Sequence, residues 1–339
     1  MSLDPRPALA ATGPRRRFLH ATGALSALTL LPMAARAQSW PARPLSVMVP
    51  FAAGGSVDVT ARVFMSRLAE RLRQPVVIEN VAGVAGSIGT QRVVGATADG
   101  YTLLFVPAAP ITVRKQVAPE TTKYDPLRDL EPVAWVGNSA YVLVARPDFP
   151  AATPTELIRA VRASPGRYNY ASDGVGGLLH VLGEIVRYRG KLAMTHVPYK
   201  AGPQIVIDLQ AGAVDLAVMP YSLVQAQIRA GKLRAIGVTS RDRFAFLPDV
   251  PPLADAPELR GMDFHSWFGL FAPARTDAGI VDRLARELAA IAEEPEVRER
   301  MNGVGLLPVK ATRAQFSAML GREVQEIAAI VAAAGIRAD

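Results

Sequence analysis

Apolar residues fall along the chain in two alternating kinds of run. Short uninterrupted stretches occur at Leu45 to Val49, Val76 to Ile78, Thr102 to Val106, Tyr168 to Ala171, Leu216 to Met219 and Leu233 to Val238. Each has the length and composition of a strand buried on both faces of a parallel sheet. Between the first two, Val57, Ala61, Phe64, Leu68 and Leu72 recur at spacings of four and three, which puts them on one face of a helix covering that sheet. The alternation predicts an α/β fold, with mostly parallel sheets flanked by helices.

Capping signals sharpen the helix boundaries. Thr153, Pro154 and Glu156 supply a cap, a first-turn proline and an acid three residues after the cap, and Ser164-Pro165-Gly166 ends that helix. Thr312 with Gln315 makes a capping box for a terminal helix whose Phe316, Leu320, Ile327, Ile330 and Ala334 share a face down to Gly335. Tyr141 to Ala145, followed by Arg146-Pro147-Asp148, reads as a strand leaving one lobe, and Phe264 to Ala272 as one returning. The expected division is residues 41–145 plus 268–339 as lobe 1 and 146–267 as lobe 2, with a cleft between them. Arg241 to Pro257 reads as an ordered surface loop.

The amino terminus sets the compartment. Arg15-Arg16-Arg17-Phe18-Leu19 precedes the weakly apolar stretch Ala21 to Leu31, and Ala35-Arg36-Ala37 offers small residues to a signal peptidase, so residues 1–37 read as a twin-arginine-like export signal cleaved near Ala37/Gln38. The expected location is the periplasm. The chain has no cysteine, which removes a lipid-attachment thiol and any disulfide framework. No later apolar run approaches the roughly 20 residues of a membrane span.

The formal charge is +8, of which the leader contributes +4, so the remaining chain is only mildly basic. Its Lys and Arg are scattered and only three tryptophans are present, which argues against a nucleic-acid surface and leaves an anionic small ligand compatible.

Three glycine-bearing turns could carry the function. Pro50-Phe51-Ala52-Ala53-Gly54-Gly55-Ser56 links the first strand to a helix, where free amides and the helix dipole suit an anion; an ordinary tight turn would look the same. Asp58 reads as either a dipole partner or a ligand contact. Glu79-Asn80 leads into Gly83, Gly86 and Gly89, a spacing that serves helix packing as readily as ligand contact. Ser172-Asp173-Gly174-Val175-Gly176-Gly177 opens a helix bearing His180, in the other lobe. Two such turns facing each other could hold both ends of a dianion.

Enzymatic motifs are poorly met. Gly54-Gly55-Ser56-Val57 lacks the lysine of a P-loop and fails the dinucleotide fingerprint. Ala85-Gly86-Ser87-Ile88-Gly89 comes close to a nucleophile elbow, but the preceding strand ends near Ile78, too far upstream to expose Ser87 on a sharp turn. His180, His196 and His265 have no metal-ligand spacing, and His180 fits a buried hydrogen-bonded role better than a general base.

Taken in order, these residues resemble the extracytoplasmic substrate-binding proteins of tripartite tricarboxylate transporters, the Bug-type receptors. Pro50-Phe51, Gly54-Gly55 and Asp58 match the first ligand loop, and Glu79-Asn80 with Gly83, Gly86 and Gly89 the second. Asp99-Gly100-Tyr101-Thr102-Leu103-Leu104 resembles a strand entry. Ser172, Gly174, Gly176 and His180 match an S-x-G-x-G-S-x-x-H pattern; Val197-Pro198-Tyr199-Lys200, Asp208-Leu209, Gly212, Asp249-Val250-Pro251, Trp267-Phe268-Gly269 and Ala272-Pro273 follow. Gly177 departs from the family's serine, and Ala82 and Ala85 from its common Pro and Gly.

The resemblance implies a two-lobed periplasmic binding protein, or flytrap, holding a small organic (di)carboxylate or related acid between its lobes for membrane permease subunits; a monomer is expected, without cofactor, metal or turnover. The ligand-binding residues it implies are Phe51, Ala53, Gly54, Gly55, Asp58, Asn80, Gly83, Pro107, Ser172, Gly174, Val175, Gly176, Gly177, His180, Tyr199 and Tyr221. A periplasmic hydrolase using Ser87 and His180, or a sensor subunit of a signalling receptor, are the other functions weighed.

Overall fold

The computed structural model describes Met1 and residues 40–338, so the expected export signal and its cleavage point lie outside the described residues, Met1 apart. In chain order the first elements are β1 Leu45–Val49, α1 Ser56–Leu72, β2 Val76–Asn80, α2 Ser87–Val94 and β3 Thr102–Pro107, then the single turns α3 Ala109–Thr112, α4 Arg114–Val117 and α5 Pro126–Asp129. The long strand β4 Leu130–Ala145 leads to α6 Pro154–Ala163, β5 Tyr168–Ser172, α7 Leu178–Gly190, β6 Met194–Pro198, α8 Gly202–Ala211, β7 Leu216–Pro220, α9 Tyr221–Arg229 and β8 Arg234–Val238. The chain returns through β9 His265–Pro273 to α10 Ala278–Ala292, α11 Pro295–Gly303, β10 Leu307–Pro308 and α12 Arg313–Ala334.

The strands run in the order β2-β1-β3-β9-β4-β7-β5-β6, with β8 and β10 also paired to β4. β1 is parallel to β2 and β3, and β5 is parallel to β6 and β7, because a helix covers each crossover. β9 and β4 run antiparallel to their neighbours, so each sheet is mixed where the chain passes between the two parallel sets. β4 itself pairs with β9 from Leu130 to Ala140 and with β7 from Tyr141 to Ala145.

Burial explains the strands. Leu45, Val47, Met48 and Val49 are at most 2% exposed, so β1 has no solvent face and needs no alternation. Val57, Ala61, Phe64, Leu68 and Leu72 of α1 are all buried against it. Covering a side chain such as Phe64, which is wholly buried, contributes about 2–3 kcal/mol. α1 stops at Arg73, whose left-handed backbone (φ 53°) lets its amide donate to the Ala69 and Glu70 carbonyls.

Two segments differ from the sequence expectation. Residues 241–257 do not form a loop on the surface alone: Phe244, Leu247, Leu253 and Ala256 are buried, and Val238 bridges Pro252. The first eleven residues of β4 extend a strand that the pattern places only at Tyr141 to Ala145.

Candidate ligand-binding site

The strand pairing brings two sets of strand ends together. Pro107, at the carboxyl end of β3, pairs with Phe268, while Pro220, at the carboxyl end of β7, pairs with Tyr141. Only Asn138 to Ala140 on β4 and His265 to Trp267 on β9 separate these levels. The carboxyl ends of the two parallel sets therefore face one another across a short span, the place where open α/β sheets bind ligands.

A cavity of about 170 Å³ opens there. Gly54, Ser56, Val59 and Thr60 line it from the β1–α1 turn, Ser139, Ser266 and Phe268 from the crossing strands, Ser222 from α9, and Val304 and Leu306 from the segment after α11. Recesses of about 200 and 450 Å³ beside α12 are more spacious. The helix start nearest them, however, is closed by the Thr312–Gln315 capping box, whereas Gly55 caps α1 without any side-chain hydrogen bond. The first-turn amides of α1 at Ser56, Val57 and Asp58 thus sit at a positive helix end beside the 170 Å³ cavity.

Asp58 builds this turn from beneath. Although only 2% exposed, its carboxylate accepts from the Gly54 amide (2.9 Å), Arg62 Nε (2.8 Å) and Asn80 Nδ2 (3.0 Å). Asn80 Nδ2 also donates to the Phe51 carbonyl at 3.1 Å. The Arg62 guanidinium, opposing burial, holds the Asp58 acid down at about 2. Both Asp58 and Asn80 are thereby occupied in shaping the turn, and its exposed residues include Ala53, Gly54, Gly55 and Ser56. Gly54 has φ +79°, a conformation suited to glycine, whereas Gly55 at φ −74° does not need to be one.

The second turn is built differently. Gly83, Val84, Ala85 and Gly86 all have positive φ, an unusual run that includes a β-branched residue. Gly86 and Gly89 serve packing: a Cβ on Gly86 would lie 2.7 Å from Pro110 Cγ, and one on Gly89 2.8 Å from Pro50 Cβ. Ser87 begins α2 buried, and the described residues show no histidine or carboxylate hydrogen-bonded to it.

Behind the third turn lie two stacked imidazoles, His180 and His196, with ring centres 3.9 Å apart. His196 Nε2 lies 2.7 Å from the wholly buried Ser172 Oγ, and the Gly176 amide donates to His180 Nδ1 at 3.1 Å. Accepting that bond requires Nδ1 to be unprotonated. Burial, with the His196 ring second, lowers the His180 pKa to about 4, so the ring is neutral near pH 7 and braces the turn. Gly176 is packed against the chain's end: a Cβ there would lie 2.4 Å from Ala338 Cβ. Gly174 and the exposed Val175 form the tip. The Tyr199 hydroxyl donates to Asp208 at 2.6 Å, while its amide donates to the Ser172 carbonyl.

The chain matches the family model described as "Tripartite tricarboxylate transporter family receptor" over residues 60–336. It belongs to this family. It is 36% identical to the protein BugT of Bordetella pertussis over 95% of this chain and 98% of that one. Among solved structures, the periplasmic binding protein BugD is 30% identical with a TM-score of 0.71, covering 88% of this chain and 99% of that one. An R. palustris protein solved with adipate is 28% identical with a TM-score of 0.74, over 88% and 99%. The fold is accordingly that of the two-lobed periplasmic binding proteins, and the chain is a receptor of the tripartite tricarboxylate transporter family.

Tyr221, one of the residues that the resemblance implies for the ligand, is turned away from the cavity. The side chain is wholly buried, stacked on Phe246 and edge-on to Phe244, and its hydroxyl accepts from Arg229. The neighbouring Ser222 lines the cavity instead. Tyr221→Phe is accordingly expected to leave ligand affinity within about twofold of wild type by calorimetric titration, since it removes only a hydroxyl bonded at 3.2 Å to Arg229. Sequence reasoning also passed over Ser139, Ser266 and Phe268. Polar residues interrupting the apolar runs around Tyr141 and Trp267 are the signal that points to the two serines.

Proposed function

We propose that this receptor binds a small organic acid between its lobes, with the acid's carboxylate on the first-turn amides of α1, and delivers it unchanged to the membrane subunits of a transporter. The observation that carries this reading is the uncapped, solvent-exposed start of α1, with Gly54 and Ser56 opening into the 170 Å³ cavity between the two parallel sets. The adipate found on the R. palustris relative supports the same ligand chemistry. Cleft closure around the ligand would give the membrane partner a shape to recognise.

The partner exchange along β4 supports a lobe division at Ala140/Tyr141 and, on the return, at Phe264/His265. Export to the periplasm with loss of residues 1–37 and a monomeric receptor complete the proposal. Binding without turnover is favoured over hydrolysis because Ser87 packs on the first sheet and His180 on the second, where its Nδ1 is already engaged by Gly176.

Ser222→Trp tests the site. Bulk at this position fills the cavity from α9, so affinity for a carboxylate found by thermal-shift screening should fall at least about tenfold while the melting transition stays cooperative. Unchanged affinity in Ser222→Trp would move the site elsewhere. Steady product formation from a panel of esters, lost in Ser87→Ala, would replace the receptor reading with an enzymatic one.

A further inference from the structure

At the start of α7 the protein supplies its own anion. Asp173 Oδ1 accepts from the Leu179 amide in the first turn of that helix at 3.2 Å. This placement depends on Gly177. A Cβ on Gly177 would lie 2.1 Å from Asp173 Oδ1 and 2.6 Å from its Cγ, closer than a side chain can stand. Gly177 has φ −70°, so its backbone makes no demand for glycine. The bare Cα at 177 and the carboxylate at 173 are one feature.

Asp173 has no cation to neutralise it among the described residues; its partners are main-chain amides, its own and those of Leu179 and His180. The residue is exposed to solvent, and desolvation of its carboxyl, opposed by those amide bonds, pushes its acid up to about 6. Asp173 follows the carboxyl end of β5, which lies beside β7 with Ala171 opposite Ala217, at the sheet edge that faces the start of α1. The two helix starts at these facing edges therefore differ: α1 offers free amides, and α7 offers a carboxylate bonded to main-chain amides with no cation beside it.

We infer that Asp173, given room by Gly177, selects the charge of the ligand's far end, so that this receptor takes amino acids bearing a distal ammonium in preference to dicarboxylates. This rests on the reading of the cleft as a carboxylate site: the ligand's own carboxylate takes the α1 end, and its ammonium pairs with Asp173. A second ligand carboxylate would meet like charge at the one place that could otherwise have received it. The pair of glycine turns thus does not form the dianion clamp that their sequence suggests.

Calorimetric titration of the full chain with two series of equal length decides the matter: straight-chain dicarboxylates and ω-amino acids of four to six carbons, adipate and 6-aminohexanoate among them. Wild type should bind its best ω-amino acid about tenfold or more tighter than the matching dicarboxylate. Asp173→Asn should level that preference, and Asp173→Ala combined with Gly177→Ser, which returns a hydroxyl to the helix start, should reverse it. Equal or tighter binding of dicarboxylates by wild type, or a preference unchanged in Asp173→Asn, overturns the inference and leaves the carboxylate receptor standing. Binding of neither series by a cooperatively melting protein overturns the carboxylate reading itself, and the inference with it.

Discussion

An Asp58→Ala variant is expected to lose about a hundredfold in ligand affinity while remaining folded. The carboxylate ties the Gly54 amide, Arg62 and Asn80 together, and Asn80 in turn holds the Phe51 carbonyl, so one truncation releases the turn at both ends. The amides of Ser56 and Val57 bind an anion only while that turn is fixed, and ordering a loosened loop at each binding event erodes affinity. Lost hydrogen bonds to a buried charge cost about 2 kcal/mol of stability, a fraction of what a core of this size supplies. The acid's pKa is depressed from 3.8 to about 2, so its contribution is complete above pH 4 and is lost as pH falls through 2. Affinity should accordingly show no Asp58-linked change between pH 5 and 8. Titration of Asp58→Ala with the ligand found by screening checks this, and wild-type affinity in that variant would mean that the β1–α1 turn is not the anion site.

The core strands and helix caps were legible because each rests on a local rule. β1 is continuous buried apolar sequence, α6 begins at its Thr153 cap, and α12 runs from the Thr312–Gln315 box to Gly335. β4 was half legible. Its residues 130–139 include Glu131, Pro132 and the Gly137-Asn138-Ser139 run, which break any strand pattern, and the pairing with β9 slips at Pro132/Ala134 and Trp135/Gly137. No local rule makes such a segment a strand; its neighbours do, β9 along its length and β10 at Gly137 and Asn138.

The site was legible as turns, not as side chains. The sequence marks where glycines open a helix, but it does not say what each glycine is for. Gly54 meets a positive φ, Gly86 and Gly89 meet Pro110 and Pro50, Gly176 meets Ala338, and Gly177 makes way for Asp173. Substituting Gly176 would therefore disturb the chain end before it touched a ligand. Tyr221 and Ser222 show the same limit, since adjacent positions at the start of α9 face opposite ways and an aromatic residue attracts attention that belongs to the serine beside it.

Glu323→Gln is expected to stabilise the protein above pH 7 by about 2–3 kcal/mol and to flatten its pH dependence. Glu323, on α12, is 7% exposed; one oxygen lies 2.9 Å from Thr112 Oγ1 and the other accepts from Trp267 Nε1 at 3.0 Å. Thr112 Oγ1 can also donate to the Ala108 carbonyl, so a protonated Glu323 can give its hydrogen to Thr112 while Thr112 gives its own to Ala108. Every group is then satisfied without a buried charge. Burial pushes the Glu323 acid up to about 7, with the Trp267 and Thr112 hydrogen bonds and the His265 ring acting against it and Glu326 acting with it. A carboxyl whose folded pKa is raised contributes its full stability below its unfolded value near 4.5 and loses it as pH rises through 7. Glutamine matches the protonated form atom for atom, its amide donating to Thr112 and its oxygen accepting from Trp267, and it does not titrate. Urea denaturation of both proteins from pH 5 to 9 should give curves that draw together toward pH 5, separate up to about pH 7 and keep a constant gap above it. His180, whose depressed pKa makes stability rise with pH between about 4 and 6.5, is common to both proteins and drops out of the difference. Parallel curves across that range would mean that Glu323 is charged in the folded protein and that α12 is held to β9 by an ionised carboxylate.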